Sequence, residues 1–182
     1  MEDKSPFMSE LWLSLTDLPE QGQEYHISDQ SLWLDPLREF DLQAELSGPL
    51  NAELLLVPSG NGVLARGSLQ GQIRIPCDRC TQDVRIDLEA SFELFEAYPA
   101  APEPSGEASE LIRINQGHPE LNAGELLWEQ FLLALPVKPL CAESCRGLCP
   151  KCGRNLNLDP CACDPEDSDP RMALFKNLKI EP

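Results

Sequence analysis

Cationic residues are scarce in this 182-residue chain: 14 Lys and Arg stand against 31 Asp and Glu, for a net charge of −17. Proteins that hold nucleic acid by broad phosphate neutralisation are normally basic, so that class is excluded for the chain as a whole. Histidine is scarcer still. The two present, His26 and His118, lie in no motif, and no HExxH, GxSxG or phosphate-binding glycine loop occurs. No catalytic or small-molecule-binding residue is assigned on this basis, and no small-molecule substrate is expected. Long apolar runs are missing as well. The longest, Phe131 to Val137, is interrupted by Pro136, whereas a membrane span needs roughly 18–20 apolar residues. The opening Met1-Glu2-Asp3-Lys4-Ser5-Pro6 has neither a cationic region nor an apolar stretch behind it. The expectation is a cytoplasmic protein with no membrane partner.

Hydrophobic content, by contrast, is 42%, which suits a globular protein. The length suits one domain, or one domain with a small satellite. A chain of this size buries a full core, so its eight cysteines are not required as staples. In a reducing compartment clustered cysteines read as metal ligands before disulfides.

Alternation marks the strands. Leu11 to Leu15 alternate over a short stretch, and Tyr25 and Ile27 suit another strand. Leu32, Trp33 and Leu34 precede an expected break at Pro36. From Leu50 the signal is clear. Leu50, Ala52, Leu54 and Leu56 share one strand face, and Pro58 to Gly62 is a turn. Val63, Ala65, Gly67, Leu69, Gly71, Ile73 and Ile75 then occupy every second position, with bends or bulges expected at the glycines. After Cys77-Asp78-Arg79-Cys80, Val84, Ile86, Leu88, Ala90, Phe92 and Leu94 alternate again. Residues 50–95 therefore read as a three-stranded antiparallel meander with a cysteine pair at one tip. Residues 99–110, rich in Pro, Ala, Ser and Glu, read as a mobile loop. Leu111 to Ile114 suit one more strand. Asn122 and Glu125 have capping-box spacing before a helix over about 123–135, which Pro136 ends. Asp169-Pro170 opens a terminal helix. Trp12, Trp33 and Trp128 fall at apolar positions and read as core. The class expected is α+β, an antiparallel sheet or partly open barrel (residues 1–137) followed by a small Cys-rich zinc module with a terminal helix (138–182).

Six cysteines crowd into residues 141–163: Cys141, Cys145, Cys149, Cys152, Cys161 and Cys163. Leu148-Cys149-Pro150-Lys151-Cys152-Gly153 is a zinc-knuckle sequence. Two thiolates two residues apart reach one ion, and the glycine permits the turn. Four thiolates at about 2.3 Å complete a closed tetrahedral site. Such a module has little core of its own, so metal supplies much of its folding free energy. One zinc ion is expected. Cys149 and Cys152 lead the ligand ranking, followed by Cys145, Cys161, Cys141 and Cys163, and spacing does not choose among the last four. Cys77 and Cys80 leave three readings open: part of the metal site, a redox pair, or two partly buried thiols in a tight connection, the last being favoured.

These stretches together resemble the YceD-like family of bacterial and plastid proteins, associated with accumulation of large-subunit ribosomal RNA. The resemblance rests on Gly67 to Cys80, where a glycine-spaced strand runs into Cys77-Asp78-Arg79-Cys80-Thr81; on Leu132-Leu133-Ala134-Leu135-Pro136-Val137-Lys138-Pro139-Leu140-Cys141; and on Cys145 to Asn157 with Cys161-Ala162-Cys163 and Asp169-Pro170-Arg171. At Thr81 the family usually carries leucine or a similar residue. The resemblance implies a non-enzymatic ribosome-biogenesis factor, zinc-binding in members with this C-terminal block.

Charge is unevenly spread. Residues 1–137 hold seven Lys and Arg against 24 Asp and Glu, the whole −17, while residues 138–182 hold seven of each. An acidic body suits a basic ribosomal protein as partner. A second route is contact with a large-subunit ribosomal RNA precursor through Arg146, Lys151 and Arg154. A zinc-stabilised adaptor unrelated to the ribosome, and a thiol or metal-dependent enzyme, are the competing classes.

Overall fold

The computed structural model describes residues 11–99 and 111–163. In chain order the elements are β1 (Trp12–Ser14), β2 (Gln23–Ile27), α1 (Ser31–Glu39), β3 (Glu45–Leu46), β4 (Asn51–Ser59), β5 (Gly62–Pro76), β6 (Asp83–Ala97), β7 (Ile112–Asn115), β8 (His118–Asn122) and α2 (Ala123–Ala134). The fold is α+β, with two antiparallel sheets and no closed barrel among the described residues. The terminal helix expected from Asp169, and almost all of the 99–110 loop, lie outside the described residues.

The meander forms as the alternation requires. Ser59 faces Gly62 across a two-residue hairpin, with Gly60 at φ 57° in the first central position, where primed turns call for glycine. β5 and β6 then pair along their full 15 residues, from Gly62 opposite Ala97 to Pro76 opposite Asp83. On its other edge β5 takes β4 over Gly62 to Gln70 and the short β3 at Ile73 and Arg74. β2 pairs with β4 at the far side. β1, β8 and β7 make the smaller sheet.

The expected bulges do not form, because both β5 ladders run without an unpaired residue. The glycines serve close approach instead. At Gly67 a Cβ would lie 2.7 Å from the Glu53 carbonyl and would overlap the Phe92 ring, which lies across the strand. At Gly71 a Cβ would meet the Leu50 side chain at 2.7 Å.

Pro36 does not break the chain either. It sits inside α1 and is buried. The helix starts at Ser31, so Pro36 removes a single early hydrogen bond. Asp29 accepts from the Ser31 amide and hydroxyl, and Gln30 exchanges hydrogen bonds with both backbone groups of Leu50. α1 is thereby held against the start of β4.

One core joins these parts. Leu50, Leu54, Leu56, Leu69 and Ile73 from the sheet meet Trp33 from α1 and Leu127, Trp128 and Phe131 from α2. The Trp33 and Phe131 rings lie 5.8 Å apart and those of Trp128 and Phe131 5.2 Å apart. Trp12 differs from the expected core position: it is half-buried in β1, with the Arg113 guanidinium 3.7 Å over its ring. At the start of α2, Asn122 accepts from the Glu125 amide and donates to its carboxylate. This is a capping box with the reciprocal bond made by the side-chain amide. No helix among the described residues is long and apolar enough to cross a membrane.

Candidate functional site

Both Cys-x-x-Cys segments adopt the same backbone turn. At the β5–β6 tip, the Thr81 amide donates to the Cys77 carbonyl at 2.8 Å and the Cys77 amide to the Gln82 carbonyl at 2.8 Å. At Cys149 to Cys152, the Gly153 amide donates to the Cys149 carbonyl at 2.9 Å and the Cys149 amide to the Arg154 carbonyl at 2.8 Å. The residue after the second cysteine is left-handed in each, φ 58° at Thr81 and 70° at Gly153. A paired position closes each base, Pro76 with Asp83 and Leu148 with Asn155.

Each turn collects two further thiols. Cys77, Cys80, Cys141 and Cys145 form one set of four, and Cys149, Cys152, Cys161 and Cys163 the other. Within a set all sulfurs lie within 4.8 Å of one another. In the first set, Cys77 Sγ is 3.9 Å from Cys145 Sγ and Cys80 Sγ 3.5 Å from Cys141 Sγ. Four sulfurs bound tetrahedrally at about 2.3 Å stand about 3.8 Å apart, so each set has a size and chemistry that could hold one soft divalent ion.

The chain brings the first set together through backbone contacts. The Asp78 amide donates to the Pro139 carbonyl, and the Leu148 amide to the Arg79 carbonyl, both at 3.0 Å. Arg79 Nη1 donates to the carbonyls of Glu143 (3.1 Å) and Cys145 (2.9 Å). Gly147, at φ 75°, passes so close that a Cβ would stand 3.0 Å from the Arg79 carbonyl oxygen. Cys77, Cys80 and Cys145 are buried in a small cluster apart from the main core, with the half-buried Val84 and Leu140 packed against them. Asn157 lies between Cys152 and Cys161 in sequence and reaches the first set. Its side chain donates to Cys145 Sγ at 3.3 Å and accepts from the Arg146 amide at 2.7 Å.

The thiols of one set are not equivalent. Burial pushes the Cys77 thiol up, but the amides of Cys141, Arg79 and Cys80 outweigh it and bring it down to about 6. Cys149 also falls to about 6, held by the amides of Cys152 and Lys151. Cys141 is pushed up to about 12 by its sulfur neighbours Cys145 and Cys80, and Cys163 to about 12 by Cys152 and by burial. In the first set burial pushes Cys145 up, but hydrogen bonds from Asn157 and the Gly147 amide outweigh it and bring it down as well. At Cys80 the bond from the Gln82 amide is outweighed by burial and the neighbouring sulfurs, and the thiol rises. A bound dication is what lets all four carry charge together.

The two cysteine pairs expected to compete for one ion therefore part company. Cys161 and Cys163 join Cys149 and Cys152, while Cys141 and Cys145 join Cys77 and Cys80. The tip pair was hard to place because Thr81 stands where a knuckle carries glycine and because its partners lie some sixty residues on. Arg146, Lys151 and Arg154 are exposed around the second set. Over residues 138–163 four Lys and Arg stand against two Asp and Glu.

The model of the family described as large ribosomal RNA subunit accumulation protein YceD matches residues 65–179, which include most of β5, all of β6 and α2, and all eight cysteines. The chain belongs to the YceD family. The family's description names accumulation of the large ribosomal RNA subunit. Proteins of Mycobacterium tuberculosis and Mycobacterium bovis, each described as uncharacterized, are 30% identical over 130 residues, covering 71% of this chain and 61% of theirs. The chain thus spans about three fifths of the length of these relatives. A chloroplastic protein of Arabidopsis thaliana, described as large ribosomal RNA subunit accumulation protein YCED homolog 1, is 36% identical over 60 residues, 33% of this chain and 19% of that protein. No solved structure matches this chain.

Proposed function

We propose that this chain is a non-enzymatic, cytoplasmic factor of ribosome biogenesis that supports accumulation of large-subunit ribosomal RNA by holding a basic ribosomal protein. The family match over residues 65–179 carries this reading. Charge supplies the recognition. Residues 1–137 form the acidic body, and on β6 Asp83, Asp87, Glu89 and Glu93 are exposed on one face with Arg85 as the one cation among them. A surface of that sign speeds encounter with a basic partner and weakens as salt rises. Capture from lysate at low salt should recover basic ribosomal proteins and lose them at high salt. Recovery of ribosomal RNA with no ribosomal protein would overturn the reading.

Residues 138–182 are the Cys-rich part. Here Cys149, Cys152, Cys161 and Cys163 hold a zinc ion in a closed site of four thiolates. Such a site has no open position for water or substrate, so its role is structural. The exposed Arg146, Lys151 and Arg154 favour a second contact, with the ribosomal RNA precursor itself. The three cations outweigh the two negative charges a four-thiolate zinc site carries.

A further inference from the structure

The four thiols at the β5–β6 tip take no part in the zinc site just described. Apolar burial alone does not account for them. A buried thiol needs no N–H on its sulfur, yet the Arg79 amide donates to Cys77 Sγ at 3.5 Å and Asn157 Nδ2 to Cys145 Sγ at 3.3 Å. Nor are they two disulfides: all four are free thiols, and the sulfurs approach one another as a set of four. Thr81 pays in backbone strain for a turn that has the hydrogen bonds of the Cys149 knuckle.

We propose that Cys77, Cys80, Cys141 and Cys145 form a second, separate thiolate centre for a zinc-class divalent ion, and that Asn157 makes its affinity depend on the neighbouring Cys149 centre. The inference extends the zinc reading given above and rests on it only for the coupling. Two ligands come from the β5–β6 tip and two from the segment behind α2, 61 to 68 residues further on. The ion is therefore a clasp between the sheet and the Cys-rich segment. On loading, each thiol that becomes a ligand gives its remaining proton to solvent, and the dication takes the charge.

Asn157 supplies the coupling. It stands within the loop that the Cys149 set closes. Its backbone amide and side-chain Nδ2 both donate to Asn155 Oδ1 (2.9 and 2.8 Å), and the Leu156 amide beside it donates to the Gly147 carbonyl at 2.9 Å. Closure of that loop around its own ion sets the amide on Cys145 Sγ. Loss of an outer hydrogen-bond partner lowers metal affinity about 10–100-fold.

Native mass spectrometry of the full chain reloaded with zinc should find two ions. Cysteine alkylation with peptide mapping should show Cys77, Cys80, Cys141 and Cys145 protected until chelator is added. One ion, with those four thiols labelled and the Cys149 set protected, overturns the second centre and leaves the first. No ion overturns both. C77S/C80S should bind one ion; retention of two would also overturn the proposal. In chelator competition N157A should weaken one of the two ions about 10-fold or more, and should change nothing when added to C77S/C80S. Equal weakening in both backgrounds, or in neither, removes the coupling.

Discussion

Thr81 holds a φ of 58°, a conformation that a β-branched residue adopts at a cost of about 1–2 kcal/mol. Its hydroxyl recovers part of this by donating to the Cys80 carbonyl at 2.8 Å. Thr81→Gly should therefore stabilise the metal-loaded protein by about 1 kcal/mol in urea unfolding. Substitution of either later glycine has the sign opposite to Thr81→Gly. Gly153 has open space around its Cβ position, so Gly153→Ala should cost only the backbone term, about 1 kcal/mol. Gly147→Ala meets the Arg79 carbonyl as well and should cost about 2–3 kcal/mol. Ionisation is also read at this scale. Cys77 and Cys149 fall from 9.0 to about 6, so in the metal-free chain their contribution to stability is complete above pH 9 and is lost as pH falls through 6. Cys141 and Cys163 rise to about 12. Their contribution is complete below pH 9 and is lost as pH climbs toward 12. The knuckle at Cys149 was legible because its glycine is in place. The one at Cys77 was obscured by a residue whose side chain argues against the conformation it holds.

At the scale of elements, what could be read was what alternates. Leu50, Ala52, Leu54 and Leu56 are all buried, as their period of two requires. So are Val63, Ala65, Leu69, Ile73 and Ile75. β3 and β8 escaped notice for physical reasons. β3 is two residues long and exists only because β5 extends past β4. β8 reads His118-Pro119-Glu120-Leu121-Asn122, whose polar pattern turns into a strand only through pairing on both sides with β1 and β7. α1 was hidden by Pro36, whose lost hydrogen bond is outweighed by burial of Leu32, Trp33 and Leu37 on the core. α2 was legible from its cap. Asn122→Ala removes both side-chain bonds to Glu125 at a buried position and should destabilise the fold by about 1–2 kcal/mol, measured by thermal or urea unfolding. Asn122→Asp keeps the acceptor for the Glu125 amide but sets two carboxylates together, so it should fall between the two.

For the whole molecule, the distribution of charge separates two modes of action that net charge alone conceals. In the proposed function the acidic body and the Cys-rich segment meet ribosomal components of opposite sign, so each mode has its own salt signature. Binding of a basic protein by the body should not depend on Arg146, Lys151 or Arg154. Contact with single-stranded RNA through those three should release counterions, with a slope of about 0.7 per neutralised phosphate in log affinity against log salt. R146E/K151E/R154E should therefore leave capture of basic ribosomal proteins intact, and should weaken RNA binding with a slope shallower by about 2. The three side chains are exposed, and the residues that hold the two thiol sets are unchanged, so zinc content should stay that of the native chain and certify the fold. An unchanged slope with unchanged zinc would remove RNA contact from the mechanism and leave the acidic face as the sole point of engagement. A shallower slope with protein capture intact would mean that one chain holds a basic protein and its RNA target on separate surfaces.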